Sequence, residues 1–216
     1  MESLASTISL AAVMSALSPL ELVKTRIQTN TELVLSGSIP RPYNGFMDCL
    51  KTIAKSEGTK ALWKGNFIGL ARFFPAETVN CYIKNIFRVH FPKNIISNIA
   101  AGIGGGWGAA VLFYPIEAVR IFISTSTLPT KPTLRHLNQN IKSEGAKYLY
   151  RGFSSLLLSI ALFRGIFFGY YDTFKDARKE KLWKWITAYF SGLLAGLSVH
   201  PVETMRKRAI ISKSSL

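Results

Sequence analysis

The sequence predicts an all-α membrane protein assembled from a three-fold repeat, and three observations carry that prediction. First, residues 95–113, 153–162 and 186–199 contain no charged side chain, and a bilayer-spanning helix needs about 20 mostly apolar residues. Second, Pro19-Leu20-Glu21-Leu22-Val23-Lys24 recurs as Pro115-Ile116-Glu117-Ala118-Val119-Arg120 and again as Pro201-Val202-Glu203-Thr204-Met205-Arg206. Third, Glu57-Gly58-Thr59-Lys60-Ala61-Leu62-Trp63-Lys64-Gly65 recurs as Glu144-Gly145-Ala146-Lys147-Tyr148-Leu149-Tyr150-Arg151-Gly152. Three copies of one motif interleaved with two of another exclude coincidence and mark a repeat architecture.

Composition agrees. Of 216 residues 48% are hydrophobic, and the formal net charge is +15. The mean hydropathy of +0.20 is above that expected of a soluble domain of this size. The basic residues cluster between the apolar blocks, which suits anionic lipid headgroups or an anionic solute. The apolar blocks argue against a soluble nucleic-acid binder. Cys49 and Cys81 cannot build a disulfide framework, and His90, His136 and His200 are dispersed, so neither metal nor cofactor is expected.

Each repeat reads as an apolar helix ending in the proline motif, a polar stretch, the Glu-Gly motif and a second apolar helix. The expected spanning helices cover about 3–27, 66–91, 95–121, 153–176 and 183–209. The first begins with small apolar residues and no basic leader, so it is taken as a membrane helix rather than a signal peptide. Shorter amphipathic helices near 44–56 and 134–143 would lie on the membrane surface. The first of these carries Phe46, Leu50 and Ile53 at helical spacing. The repeats divide the chain at 1–92, 93–177 and 178–216, and the third stops after its first helix. The run Gly102-Ile103-Gly104-Gly105-Gly106-Trp107-Gly108 lacks a following Lys-Ser/Thr and sits in an apolar block. It reads as close helix packing, not a nucleotide loop.

A proline inside a membrane helix frees a carbonyl and bends the helix. Glu and the basic residue three positions on share one helix face. Charge at membrane depth must be paired or face water. Glu21, Lys24, Glu117, Arg120, Glu203 and Arg206 are therefore expected to form a ring of ion pairs between neighbouring repeats, closed when paired and opened when a solute offsets their loss. Gly65 and Gly152 precede helix starts, where free backbone N–H groups hold phosphate. With Lys64 and Arg151 they are candidates for an anionic phospholipid such as cardiolipin.

These residues resemble the mitochondrial carrier family, whose motif reads Pro-x-Asp/Glu-x-x-Lys/Arg-x-Lys/Arg followed by Asp/Glu-Gly-x-x-x-x-aromatic-Lys/Arg-Gly. The resemblance covers nearly the whole chain. It implies a carrier-like, three-fold pseudo-symmetric helix bundle with five of six transmembrane helices present, a multi-pass protein of the mitochondrial inner membrane, and no enzyme activity. The proline-motif charges would form the matrix gate, with Gln28 bracing a bridge. Leu62-Trp63-Lys64-Gly65-Asn66, Arg72-Phe73-Phe74-Pro75 and Phe168-Gly169-Tyr170-Tyr171-Asp172 are similar to the branch that exchanges ADP and ATP. That likeness implies adenine nucleotides as partners. Arg72 would contact phosphate, Asn80 would line the cavity, Ser159, Ile160 and Phe163 would form the adenine pocket, and Arg164 would add charge beside it.

The opposite, cytoplasmic gate would use Lys84, Arg88, Asp172 and Lys175. The segment Arg206, Lys207, Arg208 resembles the start of that branch's arginine-methionine hallmark. Departures are visible too. Ala209-Ile210-Ile211 replace the hallmark methionines, Met14 stands at a phosphate-binding lysine, Phe163 replaces a tyrosine, and Phe122 and Asn85 fill a basic and an acidic position. Two further functions stay open: a carrier of another anionic nucleotide or cofactor, and a transport-incompetent structural subunit of a membrane complex. With no sixth helix in the sequence, transport would need a further segment, a partner supplying that helix, or oligomerisation.

Overall fold

Every expected spanning helix forms, within a few residues of its predicted ends. The computed structural model describes residues 2–90, 95–128, 130–174 and 181–212, and among these every regular element is a helix. The long helices are α1 (Glu2–Gln28), α4 (Asn66–His90), α5 (Ile95–Thr125), α7 (Phe153–Phe174) and α8 (Lys181–Ile211). Pro19, Pro115 and Pro201 lie inside α1, α5 and α8. By length and composition, Ile99–Thr125 and Ala146–Tyr171 are apolar enough to cross a membrane. Among the described residues, α1, α4 and α8 fall short of that measure.

Both expected surface helices form as well: α3 (Phe46–Ser56) and α6 (Thr130–Glu144). In α3 the side chains of Cys49 and Ile53 point inward while Lys51 and Lys55 are exposed, the amphipathic period of 3.6. Its start is closed by Asp48, whose carboxylate accepts the Asn44 N–H at 3.0 Å. Burial pushes the Cys49 thiol up to about 11. Three short elements were not anticipated: α2 (Asn30–Leu35) and the 3-10 turns Thr59–Trp63 and Ala146–Tyr150. The two turns are the Glu-Gly motifs themselves. Gly58 and Gly145 enter them at φ +86° and +77°, and Gly65 and Gly152 leave them at φ +80° and +75°, values that only glycine adopts without strain.

Two compact units cut across the repeats. The first comprises Met1–Phe74, Phe113–Gly152 and Arg206–Leu216; the second comprises Pro75–Leu112 and Phe153–Met205. The first unit holds three apolar clusters. One joins Leu22 and Val23 of α1 to Cys49 and Ile53 of α3 and to Ala61 and Leu62 of the 3-10 turn. Its counterpart in the next repeat joins Phe122, Leu137 and Tyr148. A third links Ile121 to Ile210 and Ile211. Full burial of one such side chain contributes about 1.5–3 kcal/mol, so these contacts fasten the surface helices to the ends of the long ones.

The second unit packs through glycine. A Cβ on Gly102 would lie 2.8 Å from the Phe168 ring, one on Gly106 2.7 Å from Ile160, and one on Gly108 2.2 Å from Ile83. The glycine run thus lets α4 and α7 approach α5 directly. The Trp107 indole N–H donates to the Leu157 carbonyl at 3.0 Å across the same packing.

Candidate gate and solute-binding residues

In the first unit the proline-motif charges meet across repeats. Arg120 pairs with Glu21 of the preceding repeat. Glu117 lies among three arginines: Arg72 Nε at 2.9 Å, Arg206 Nη2 at 3.9 Å and Arg120 Nη1 at 4.0 Å. The last is its own i+3 neighbour, as the shared face requires. The side chain of Glu117 is 13% exposed and that of Arg206 5%. A carboxylate this deep is tolerable only because cations surround it. Lys24 is exposed and Glu203 half-buried, and each engages a partner of its own.

Gln28 sits where α1 meets the end of α8. Its side-chain oxygen accepts from Lys207 Nζ at 2.8 Å, and its backbone oxygen accepts from Arg208 Nε at 3.0 Å. Lys207 also donates to Thr25 Oγ1 at 3.3 Å. Of the hallmark-like residues, Arg206 and Lys207 are therefore buried, while Arg208 is exposed and reaches the Gln28 carbonyl.

The Glu-Gly motifs use their charges internally. Lys64 pairs with Glu57 and donates to the Leu128 carbonyl at 3.1 Å. Arg151 pairs with Glu144 and lies 4.8 Å from the centre of the Tyr148 ring. Gly65 and Gly152 do precede α4 and α7, but they are also pressed against neighbouring helices. A Cβ on Gly65 would meet Ser124 Oγ at 2.6 Å, and one on Gly152 the Arg206 carbonyl at 3.1 Å. Gly65 and Gly152 thus have a packing role, and Lys64 and Arg151 an ion pair within the motif, beside the expected contact with phosphate.

The most buried cation among the described residues was missed by the sequence reading. Arg26 is fully buried; its guanidinium forms a two-pronged pair with Glu57. It also donates to the carbonyls of Ser124 at 3.1 Å and Ser126 at 2.9 Å. The signal was present: Arg26 fills the second basic position of the proline motif, whose loss at Phe122 was noted.

The remaining solute-binding candidates belong to the second unit, whereas Arg72 belongs to the first. Asn80 and Ser159 are buried, at 5% and 6% exposure. Ser159 Oγ donates to the Ser155 carbonyl one turn back at 2.8 Å. Ile160 packs on Gly106, and the Arg164 stem comes within 3.4 Å of a Cβ on Gly102. Phe163 stacks on Phe167 at 6.1 Å, which stacks in turn on Tyr171 at 5.9 Å. The helix face expected to receive a base is thus an aromatic ladder flanked by one arginine. The cytoplasmic-gate candidates Lys84, Arg88, Asp172 and Lys175 lie outside the residues whose side chains are described.

Taken as chemistry, the first unit offers separable ion pairs around a buried carboxylate, and the second offers aromatic and amide groups with a cation alongside. The ion pairs of the first unit suit the displacement of charge by a bound anion.

The family model described as "Mitochondrial carrier protein" matches residues 1–95 and 91–182. The "ADP,ATP carrier protein" of Neurospora crassa is 28% identical over 95% of this chain and 73% of its own length. The "ADP,ATP carrier protein, mitochondrial" of Solanum tuberosum is 28% identical over 95% of the chain, which spans 59% of that relative. The "ADP,ATP carrier protein ER-ANT1" of Arabidopsis thaliana is 28% identical over 92% of the chain and 72% of that protein.

Proposed function

The chain belongs to the mitochondrial carrier family, whose members are transporters rather than enzymes, and from that premise we propose that it exchanges ADP for ATP across the mitochondrial inner membrane as a multi-pass antiporter. The observation that carries the proposal is the nest of Arg72, Arg120 and Arg206 around Glu117. Glu117 and Arg206 belong to the gate set; Arg72 is the expected phosphate contact. One carboxylate therefore holds both. A polyphosphate arriving at Arg72 competes with Glu117 for that guanidinium and so removes one of the cations that hold Glu117 in place. Binding energy from the solute offsets the separation of ion pairs, the requirement for a solute-gated conformational change. The relatives named above, all ADP/ATP carriers, support the choice of nucleotide. The Phe163–Phe167–Tyr171 ladder supports an aromatic base. The backbone N–H groups that follow Gly65 and Gly152 are proposed to hold the phosphates of cardiolipin, with the Lys64–Glu57 and Arg151–Glu144 pairs fixing the turn that presents them.

A second reading, a carrier of another anion or a carrier-fold subunit without transport, is favoured by Met14, which brings no charge to the position of a phosphate-binding lysine. Both are tested together. The purified full chain in liposomes loaded with ATP is expected to take up labelled ADP, and Arg72→Ala is expected to abolish uptake; because that change also takes the nearest cation from Glu117, thermal unfolding in detergent checks that the variant still folds. No uptake against either internal nucleotide overturns ADP/ATP exchange. Uptake of a different anion under the same conditions establishes the alternative carrier.

A further inference from the structure

Helix α4 carries a carboxylate near its midpoint that neither the gate nor the repeat motifs use. Glu77 lies 11 residues after Asn66 and 13 before His90, about 16 and 20 Å from the two ends at 1.5 Å per residue. It is exposed. A carboxylate at that depth persists where it faces water or donors, not hydrocarbon. The contacts described for it are two bonds from one amide and one from a thiol. Asn80 Nδ2 donates to Oε1 at 3.3 Å and to Oε2 at 3.2 Å, and Cys81 Sγ donates to Oε1 at 3.7 Å. None of these donors is cationic.

Asn80 supplies the second observation. Ionised carboxylate oxygens only accept, so Asn80 must turn its NH2 toward Glu77. Its own oxygen then points elsewhere, and Oδ1 is buried with no hydrogen-bond partner. A residue at 5% exposure with an unanswered acceptor is costly unless something completes it. One turn of α4 therefore carries an exposed carboxylate without a cationic partner and, beside it, a buried amide oxygen without a donor.

We propose that Glu77 and Asn80 form an acceptor site for the uncharged hydrogen-bond donors of the transported nucleoside, its ribose hydroxyls or its exocyclic amine. The inference rests on the nucleotide reading above and deepens it by naming what selects the nucleoside end. The chemistry is specific. A vicinal diol offers two O–H donors to the two oxygens of one carboxylate, and an exocyclic amine offers two N–H donors to a carboxylate and an amide oxygen. Phosphate, with acceptors only, is repelled. Glu77 therefore orients a nucleotide as well as recognising it, keeping the polyanionic end away from this turn.

The test uses the full chain in ATP-loaded liposomes. Labelled ATP uptake is competed by ATP, by 2′,3′-dideoxy-ATP, which lacks the diol, and by N6,N6-dimethyl-ATP, which lacks the amine donors. The parent protein is expected to admit one of these analogues at least ~10-fold less well than ATP, and which one fails assigns the source. Glu77→Gln is expected to shrink that discrimination to about 2-fold, and Asn80→Ser to weaken it; thermal unfolding checks that both fold. Equal competition by both analogues in the parent overturns the inference while leaving ADP/ATP exchange standing. So does discrimination that survives Glu77→Gln, including the case where that change only moves the pH profile of uptake, which would make Glu77 a proton site. Absence of any nucleotide uptake by the parent overturns the exchange reading and this inference with it.

Discussion

The two copies of the Glu-Gly corner begin from nearly the same motif and are fastened in different ways. At the first corner Glu57 is 9% exposed and takes both the buried Arg26 and Lys64. Arg26 then reaches on to the Ser124 and Ser126 carbonyls of the second repeat. At the second corner Glu144 is 40% exposed and takes Arg151, while Phe122, in Arg26's place, packs on Leu137 and Tyr148. The third repeat returns to the polar form, with Arg208 donating to the Gln28 carbonyl. Two seams between repeats are thus closed by directed bonds from an arginine to a backbone carbonyl. The seam between the second and third repeats adds to the Glu117–Arg206 pair an apolar contact of Ile121 with Ile210 and Ile211. A position that looks like one basic slot in a motif is therefore a fastening point, and either charge or apolar packing can fill it. The polar version fixes register and geometry but carries a desolvation cost; the apolar version is less directional and tolerates sliding.

The largest expected effect tests the polar corner. Arg26→Ala leaves Glu57 buried with half its partners and takes the arginine's donors from the Ser124 and Ser126 carbonyls, and should destabilise the protein by about 3–5 kcal/mol, read from chemical unfolding in detergent. A loss below about 1 kcal/mol would reduce this corner to the level of a surface pair and break the comparison. Next, Gly65→Ala places an L-residue at φ +80° and drives Ser124 Oγ off the Lys64 carbonyl. A cost of about 1–2 kcal/mol for the backbone and ~1 kcal/mol for the hydrogen bond is expected in the same measurement. The smallest effect belongs to the second corner. Glu144→Gln removes a pair whose acid is substantially exposed, and should change stability by no more than about 1 kcal/mol, with less effect at high salt. A loss there matching that of Arg26→Ala would show the two corners to be fastened alike.

The sequence made the five long helices, both surface helices and the turn glycines legible, because each rests on local chemistry: apolar length, 3.6-residue spacing and positive φ. The proline-motif charges were legible as a set because repetition marked them. Arg120 with Glu21, and Glu117 with Arg206, are contacts between repeats, and symmetry of the motif was enough to anticipate them. Repetition could not reveal the contacts that break symmetry. Arg72 occurs once, so nothing in the motif pointed it at Glu117. Arg26 and Arg208 look alike in the motif, and only their surroundings make one fully buried and the other exposed. Ile160 and Arg164, expected to face a nucleotide, also serve as packing surface for Gly106 and Gly102. Glu77 carried a readable clue, a lone carboxylate in mid-helix, but its meaning needed the unanswered oxygen of Asn80.

By itself, then, the sequence determined the all-helical class, the repeat and which residues carry charge at corresponding places. Those follow from hydrophobic length and from pattern, which are properties of the chain read in order. Which arginine answers which carboxylate, which motif position becomes a buried clamp and which becomes apolar core, and where an acceptor is left without a donor were decided only by the tertiary structure. An ion pair or a buried amide is worth nothing until its partners are brought within about 3 Å of each other and out of water, and that proximity is a property of the fold.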